Sequence, residues 1–251
     1  MLMLLSPAKR LDESPKLPAD LETTKPQFSA EIKQLSGVLA DMNAKQIGDL
    51  MSLSDKLAKL NYDRYQSFTS ADKHPALYMF QGDAYQQIDI EHYTKAERVF
   101  AAKHLRLLSG LYGVLAPFDA IQPYRLEMGT RLAGDWGKNL YDFWSDKIAK
   151  ALNKAAGGEP ILNLASNEYA DAIDRSALTA PIIDVTFKQI KDGKAKAIGI
   201  YNKKARGMMV NWIIKNQITS LKDLQKFNEF GYQYQTQASS DTEMVFVTNV
   251  D

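Results

Sequence analysis

The chain has 251 residues, 45% of them hydrophobic, and 31 basic against 30 acidic side chains leave a net charge of +1. That length can bury a full core as one large domain or two small ones, and the near-neutral balance makes any binding of nucleic acid depend on a local basic patch. With no cysteine, disulfide frameworks, thiolate metal sites, iron–sulfur clusters and a cysteine peroxidase are excluded, and the composition is compatible with a reducing cytosol.

Residues 1–5 are an unbroken apolar run closed by Ser6-Pro7, which predicts a buried strand. The run is far shorter than a signal-peptide core or a membrane span, so no anchor is expected. Ser6, Lys9 and Asp12 fall just past the strand's end, where loops on a rigid scaffold often carry sites. Ser6 and Lys9 have the spacing of the penicillin-binding enzymes, but such a pair recurs by chance and that chemistry expects it at a helix start. On residues alone, Lys9 and Arg10 read as a solvated loop pair. Pro15, Pro18 and Pro26 keep the following stretch irregular. Apolar spacing then predicts helices near 28–39, 47–51 and 55–68, the last with Ser54 as an N-cap contributing about 1 kcal/mol. His74-Pro75 breaks the chain, residues 76–80 read as a short strand, and Gln81-Gly82-Asp83 as a turn. Asp83 either caps the helical stretch containing Tyr85 and Ile88 or stands as a general base or charge partner.

Residues 94–108 have helical apolar spacing with Lys95, Arg98, Lys103 and Arg106 interleaved. Gly110 and Gly113 permit the left-handed backbone of a C-cap or tight turn, and Pro117 opens a short helix over 118–121 that Pro123 stops. Helix, glycine turn and helix approximate a helix-hairpin-helix, whose backbone amides hold phosphates. That motif separates its glycines by one residue and here there are two, so a C-cap with a buried turn is the alternative. Lys103 and Arg106 beside the turn favour phosphate contact. Arg125 and Glu127, two apart, point to one side of an extended backbone. They are either a structural ion pair or an arginine that positions an anion and a glutamate that orients it.

Residues 140–155 predict one core helix, ended by Gly157-Gly158, and 161–164 a further buried strand. The next helix would have Ser166 as N-cap, with Glu168 and Tyr169 able to face a cleft. Residues 181–190 and 195–201 are strand-like, with Asp192-Gly193 as a hairpin signal between them. Lys203-Lys204-Ala205-Arg206-Gly207 reads as the opening of a helix. Cations in a first turn oppose the helix dipole at about 0.3–1 kcal/mol each. An anion bound at that terminus would account for them; snorkelling into solvent is the alternative. Residues 221–227 predict a short helix, and 232–234 and 244–250 terminal strands. His74, His92 and His104 lack metal-ligand spacing, and neither a Walker loop nor GxGxxG is present, so no metal site or cofactor is expected.

The segment HLRLLSGLYGVLAPFDAIQPYRLEMG at 104–129 is accompanied, in order, by SPAKRLD at 6–12, SDKLAKLN at 54–61, FQGDAY at 80–85, NLASNEY at 163–169 and KKARG at 203–207. Together they resemble the YaaA family of bacterial peroxide-stress proteins across nearly the entire chain. Arg10 departs from the small polar residue usual there, so Lys9 carries more weight. The resemblance implies a cytoplasmic protein that limits oxidative damage under hydrogen peroxide by keeping free intracellular iron low, with a helix-hairpin-helix-like element and a basic cleft that imply DNA binding.

The expectation is a single mixed α/β (α+β) domain over 1–251, with a mainly antiparallel sheet flanked by helices. Its basic cleft would gather Lys9, Lys103, Arg106, Gly110, Gly113, Arg125, Lys203, Lys204 and Arg206 around DNA, with no membrane and no obligate protein partner. A non-enzymatic binding protein is preferred. The alternative is a glycosylase- or lyase-like enzyme acting on damaged DNA bases or nucleotides, with Lys9 as nucleophile or charge donor and Asp83 or Glu168 as base. A third reading is an iron-binding protein.

Overall fold

The computed structural model describes residues 1–191 and 193–249. In chain order the elements are β1 (Leu2–Leu5), β2 (Arg10–Leu11), α1 (Ser29–Ala40), α2 (Ala44–Met51), α3 (Asp55–Gln66), β3 (His74–Pro75), α4 (Ala76–Met79) and β4 (Phe80–Gln81). There follow α5 (Lys95–His104), β5 (Leu105–Ser109), β6 (Gly113–Leu115), β7 (Ala120–Ile121), α6 (Leu140–Trp144), α7 (Lys147–Ala156), β8 (Ile161–Leu164) and α8 (Asn167–Ala170). The last are β9 (Ile182–Lys191), β10 (Lys194–Lys196), α9 (Gly199–Asn216), α10 (Leu221–Leu224), β11 (Gln233–Tyr234) and β12 (Glu243–Asn249).

One sheet runs in the order β11-β12-β9-β8-β1-β5-β6, with β10 added to β9. The mixed α/β class is as expected. The mainly antiparallel arrangement is not: β12, β9, β8, β1 and β5 are parallel, and β6, β10 and β11 join them antiparallel. The reason lies in the strands themselves. LMLL in β1 and ILNL in β8 are buried at every residue, and strands buried on both faces are those of a parallel sheet, linked by long crossovers. β9 alternates buried and partly exposed residues. The hairpin signal after it corresponds to the β9–β10 pair, with Lys191 opposite Lys194. Asp192 itself lies outside the described residues, as does Val250 at the end of the expected last strand.

The helix-hairpin-helix expectation is also corrected. After α5 the chain becomes extended at Leu105, and β5 and β6 pair antiparallel around the turn, Ser109 opposite Gly113. Gly110 and Gly113 are buried. A Cβ on Gly110 would lie 2.4 Å from the Leu126 carbonyl oxygen, and one on Gly113, whose φ is +68°, 2.7 Å from the Trp144 ring. These glycines serve close packing within the β5–β6 turn. The apolar run Leu105, Leu107, Leu108 wins a place beside β1 in the sheet over continued helix.

Three smaller differences have local causes. Residues 140–155 are two helices, broken where Ser145 adopts φ 45°. Within the stretch 76–80, Ala76–Met79 is one turn of helix, and only Phe80 is strand, opening β4. Ser54 precedes α3 with cap-like backbone but its side chain makes no capping hydrogen bond, whereas Asn43 with Gln46 and Thr94 with Glu97 close full capping boxes on α2 and α5.

Candidate functional site

In sequence β1 is followed within the sheet by β5 on one side, and the chain later returns to β1's other side as β8. Such a reversal opens a crevice at the carboxyl ends of the two strands. Here that crevice is a cavity of about 520 Å³. Its floor is set by Ser6, whose hydroxyl accepts from the Ser166 amide at 2.8 Å and donates to the Ser166 hydroxyl at 3.2 Å, tying the end of β1 to the end of β8. The Ser6 carbonyl accepts from the Tyr85 hydroxyl at 2.8 Å. Burial pushes the Tyr85, Tyr124 and Tyr169 phenols up, so all three stay protonated.

Two short strands bring separate loops to the rim. β2 pairs with β4, placing Arg10 opposite Gln81, and this carries the loop 6–10 against the turn at Gly82-Asp83. Helix α9 then packs against that turn at Gly207, where a Cβ would lie 1.9 Å from the Ala84 carbonyl oxygen. Only a glycine permits such an approach of helix to backbone.

The charges on this cavity fall into two kinds. Glu127 holds two cations, Lys9 at 2.5 Å and Arg125 at 3.0 Å, so the Arg125–Glu127 pair joins structure and site at once. Lys9 is 62% exposed, a cation held in place by a carboxylate. Arg206 is different: among the described residues it forms no ion pair within 4 Å, and its Nε is buried without a hydrogen-bond partner. Burial pushes its guanidinium below the ordinary arginine value, yet arginine keeps its proton in proteins. The Arg125 Nε is likewise buried and unpartnered. Of the acids, Glu168 accepts from the Gly129 amide at 2.9 Å, while Asp83 stands in the turn at the wall. A partly desolvated arginine without a counterion, beside Lys203 and Arg125, is suited to an anionic guest.

Lys9, Asp83, Arg125, Glu168, Lys203 and Arg206 therefore share one cavity. The remaining expected contacts do not. Lys103 and Arg106 line a separate hollow, Gly110 and Gly113 lie in the buried β5–β6 turn, and Lys204 does not line the cavity. The anion argument drawn from first-turn cations also falls, because α9 begins at Gly199 and the KKARG segment lies beyond its first turn. Arg206 reaches the cavity through its position on the helix face. Tyr124 and Gln81 were missed; both lie inside recognised segments, but their contact with the cavity depends on pairings that no local pattern announces. Among the described residues no three of His, Asp and Glu gather to hold a metal ion, and no helix is long and apolar enough to cross a membrane.

The family described as peroxide stress protein YaaA matches residues 1–238. A UPF0246 protein of Acaryochloris marina is 44% identical over 254 residues, covering 99% of this chain and 100% of its own. A UPF0246 protein of Saccharophagus degradans is 45% identical over 253 residues, covering 98% of each.

Proposed function

Because the chain belongs to the peroxide stress protein YaaA family, we propose that it acts in the cytoplasm during peroxide stress by binding DNA, holding strand phosphates in the cavity at the carboxyl ends of β1 and β8. The observation that carries this reading is Arg206, desolvated and unpaired on the cavity wall. A phosphate oxygen would supply the missing acceptor and the missing charge together. Glu127 holds Lys9 and Arg125 at the same rim, so those cations meet the guest already oriented. Limiting oxidative damage and free intracellular iron belongs to the same reading, and it does not require the protein to hold the metal.

The test is fluorescence anisotropy with labelled oligonucleotides across a salt series. Affinity is expected to fall steeply with salt, and Arg206→Gln to weaken binding about tenfold and flatten the slope by about one. Binding that ignores salt, or that survives this substitution unchanged, would remove the cavity from DNA recognition.

One observation favours a second reading. The volume of about 520 Å³ lies in the range of small-molecule sites, with Asp83 and Glu168 on its walls, which suits an enzyme acting on a damaged base or nucleotide. Incubation with an oligonucleotide carrying an oxidised base decides between them: a released base or a cut strand marks the enzyme, and bound, unchanged DNA marks the binding protein.

A further inference from the structure

Lys103 and Arg106, which the structure separates from the first cavity, line a second hollow with Thr24, Lys25, Asp119 and Lys154. Its volume is about 450 Å³ and it shares no lining residue with the first. The last turn of α5, the first residues of β5, the outer strand β6 and α7 build it, and Val114, Ala151 and Ala155 give it an apolar wall.

Four cations face one carboxylate there. Asp119 is 4% exposed and is already engaged, accepting from the Thr24 hydroxyl at 2.6 Å and the Ala116 amide at 2.8 Å. Among the described residues, Lys25, Lys103, Arg106 and Lys154 form no ion pair within 4 Å. Arg106 is fixed at the wall, its Nη1 donating to the carbonyls of Ala102 at 2.9 Å and Leu105 at 2.6 Å. Burial pushes its guanidinium below the ordinary value. Lys103 and Lys154 also sit in the last turns of helices, where the dipole favours a cation. Arg106 is held by the carbonyls at the C-terminal end of α5 and attracted by Asp119, whereas Lys25 has no such support.

We propose that this hollow binds a triphosphate group, free or carried by a nucleoside. A triphosphate concentrates its charge within one concave site, whereas duplex DNA spreads its charge along a convex backbone. The apolar wall offers a surface to a base if one is attached.

Isothermal titration calorimetry with inorganic triphosphate and, separately, ATP tests this on the full chain. The comparison uses the parent protein, the exposed-lysine double variant Lys25→Ala/Lys154→Ala, and Arg206→Gln from the other cavity. Binding at this hollow is expected to be kept in Arg206→Gln and weakened at least about tenfold in the double variant, since two charge-assisted contacts are lost. Equal affinity for the two probes assigns the triphosphate group alone, and tighter ATP binding assigns a nucleoside triphosphate. Two results would overturn the proposal: binding of neither probe, or binding lost in Arg206→Gln and unchanged in the double variant.

Discussion

At Arg206 stability and function pull in opposite directions. Its guanidinium is partly desolvated without a counterion, so Arg206→Gln removes an unpaired cation and should leave the melting temperature unchanged or slightly higher even as DNA affinity falls. A large loss of stability, measured by thermal unfolding, would mean that the arginine holds the fold instead. Asp184 shows the opposite case. Burial by itself would raise its carboxyl, but Arg175 at 2.8 and 3.0 Å and the Asn163 amide at 2.7 Å hold it below the ordinary value. Because the folded value lies below the unfolded one of about 3.9, this contribution is fully present above the unfolded value and is lost as the pH falls through the folded one. Both partners are more than a third exposed, so solvent screening keeps it within about 1 kcal/mol. Thermal unfolding of Arg175→Ala against pH should show a small deficit at neutral pH that closes below about pH 4.

At the level of elements, α9 and the turn after β4 form the cavity wall as a pair. Gly207→Ala would set a Cβ against the Ala84 carbonyl oxygen, and since that atom belongs to backbone, helix or turn must move. Overpacking of this kind costs about 1–3 kcal/mol, or roughly 2–4 °C of melting temperature per kcal/mol in a chain of this size. The displacement carries Arg206 and Asp83 apart, so DNA affinity should fall with stability. A variant that melts as the parent does would show that the contact relaxes freely. The β5–β6 turn illustrates how an element was misread. Gly110 and Gly113 in sequence signal only that backbone comes close to something. That the something is Leu126 and Trp144, and not a ligand, is a fact about segments far along the chain.

For the molecule as a whole, a sheet that draws strands from residues 2–5 through to 243–249 should lose its structure in one step. Urea unfolding followed by far-ultraviolet circular dichroism and by fluorescence of Trp136, Trp144 and Trp212 should give coincident transitions. Two separated transitions would divide the chain into independent units. The membership of a family, the α/β class and the candidate residues Lys9, Asp83, Arg125, Glu168, Lys203 and Arg206 were legible from ordered motifs and from strand-length apolar runs. Parallel strand direction was present in those runs as well, since LMLL and ILNL lack the alternation of a half-exposed strand, whereas the hairpin signal near Gly193 marks only the antiparallel β9–β10 pair.

The sequence by itself determined where the apolar runs and the main turns fall and which residue types are available, because those follow from side-chain chemistry and local hydrogen bonding; that 76–79 is helix and 105–109 strand was decided by the sheet. Tertiary structure alone decided which cations face one another. Lys103 and Arg106 lie near Gly110 in the chain yet line a different hollow from Arg125, while Lys9 meets Glu127 across more than a hundred residues. Charge convergence depends on which strand lies beside which, and that order is fixed by burying several distant apolar runs together, a global condition that no local window contains.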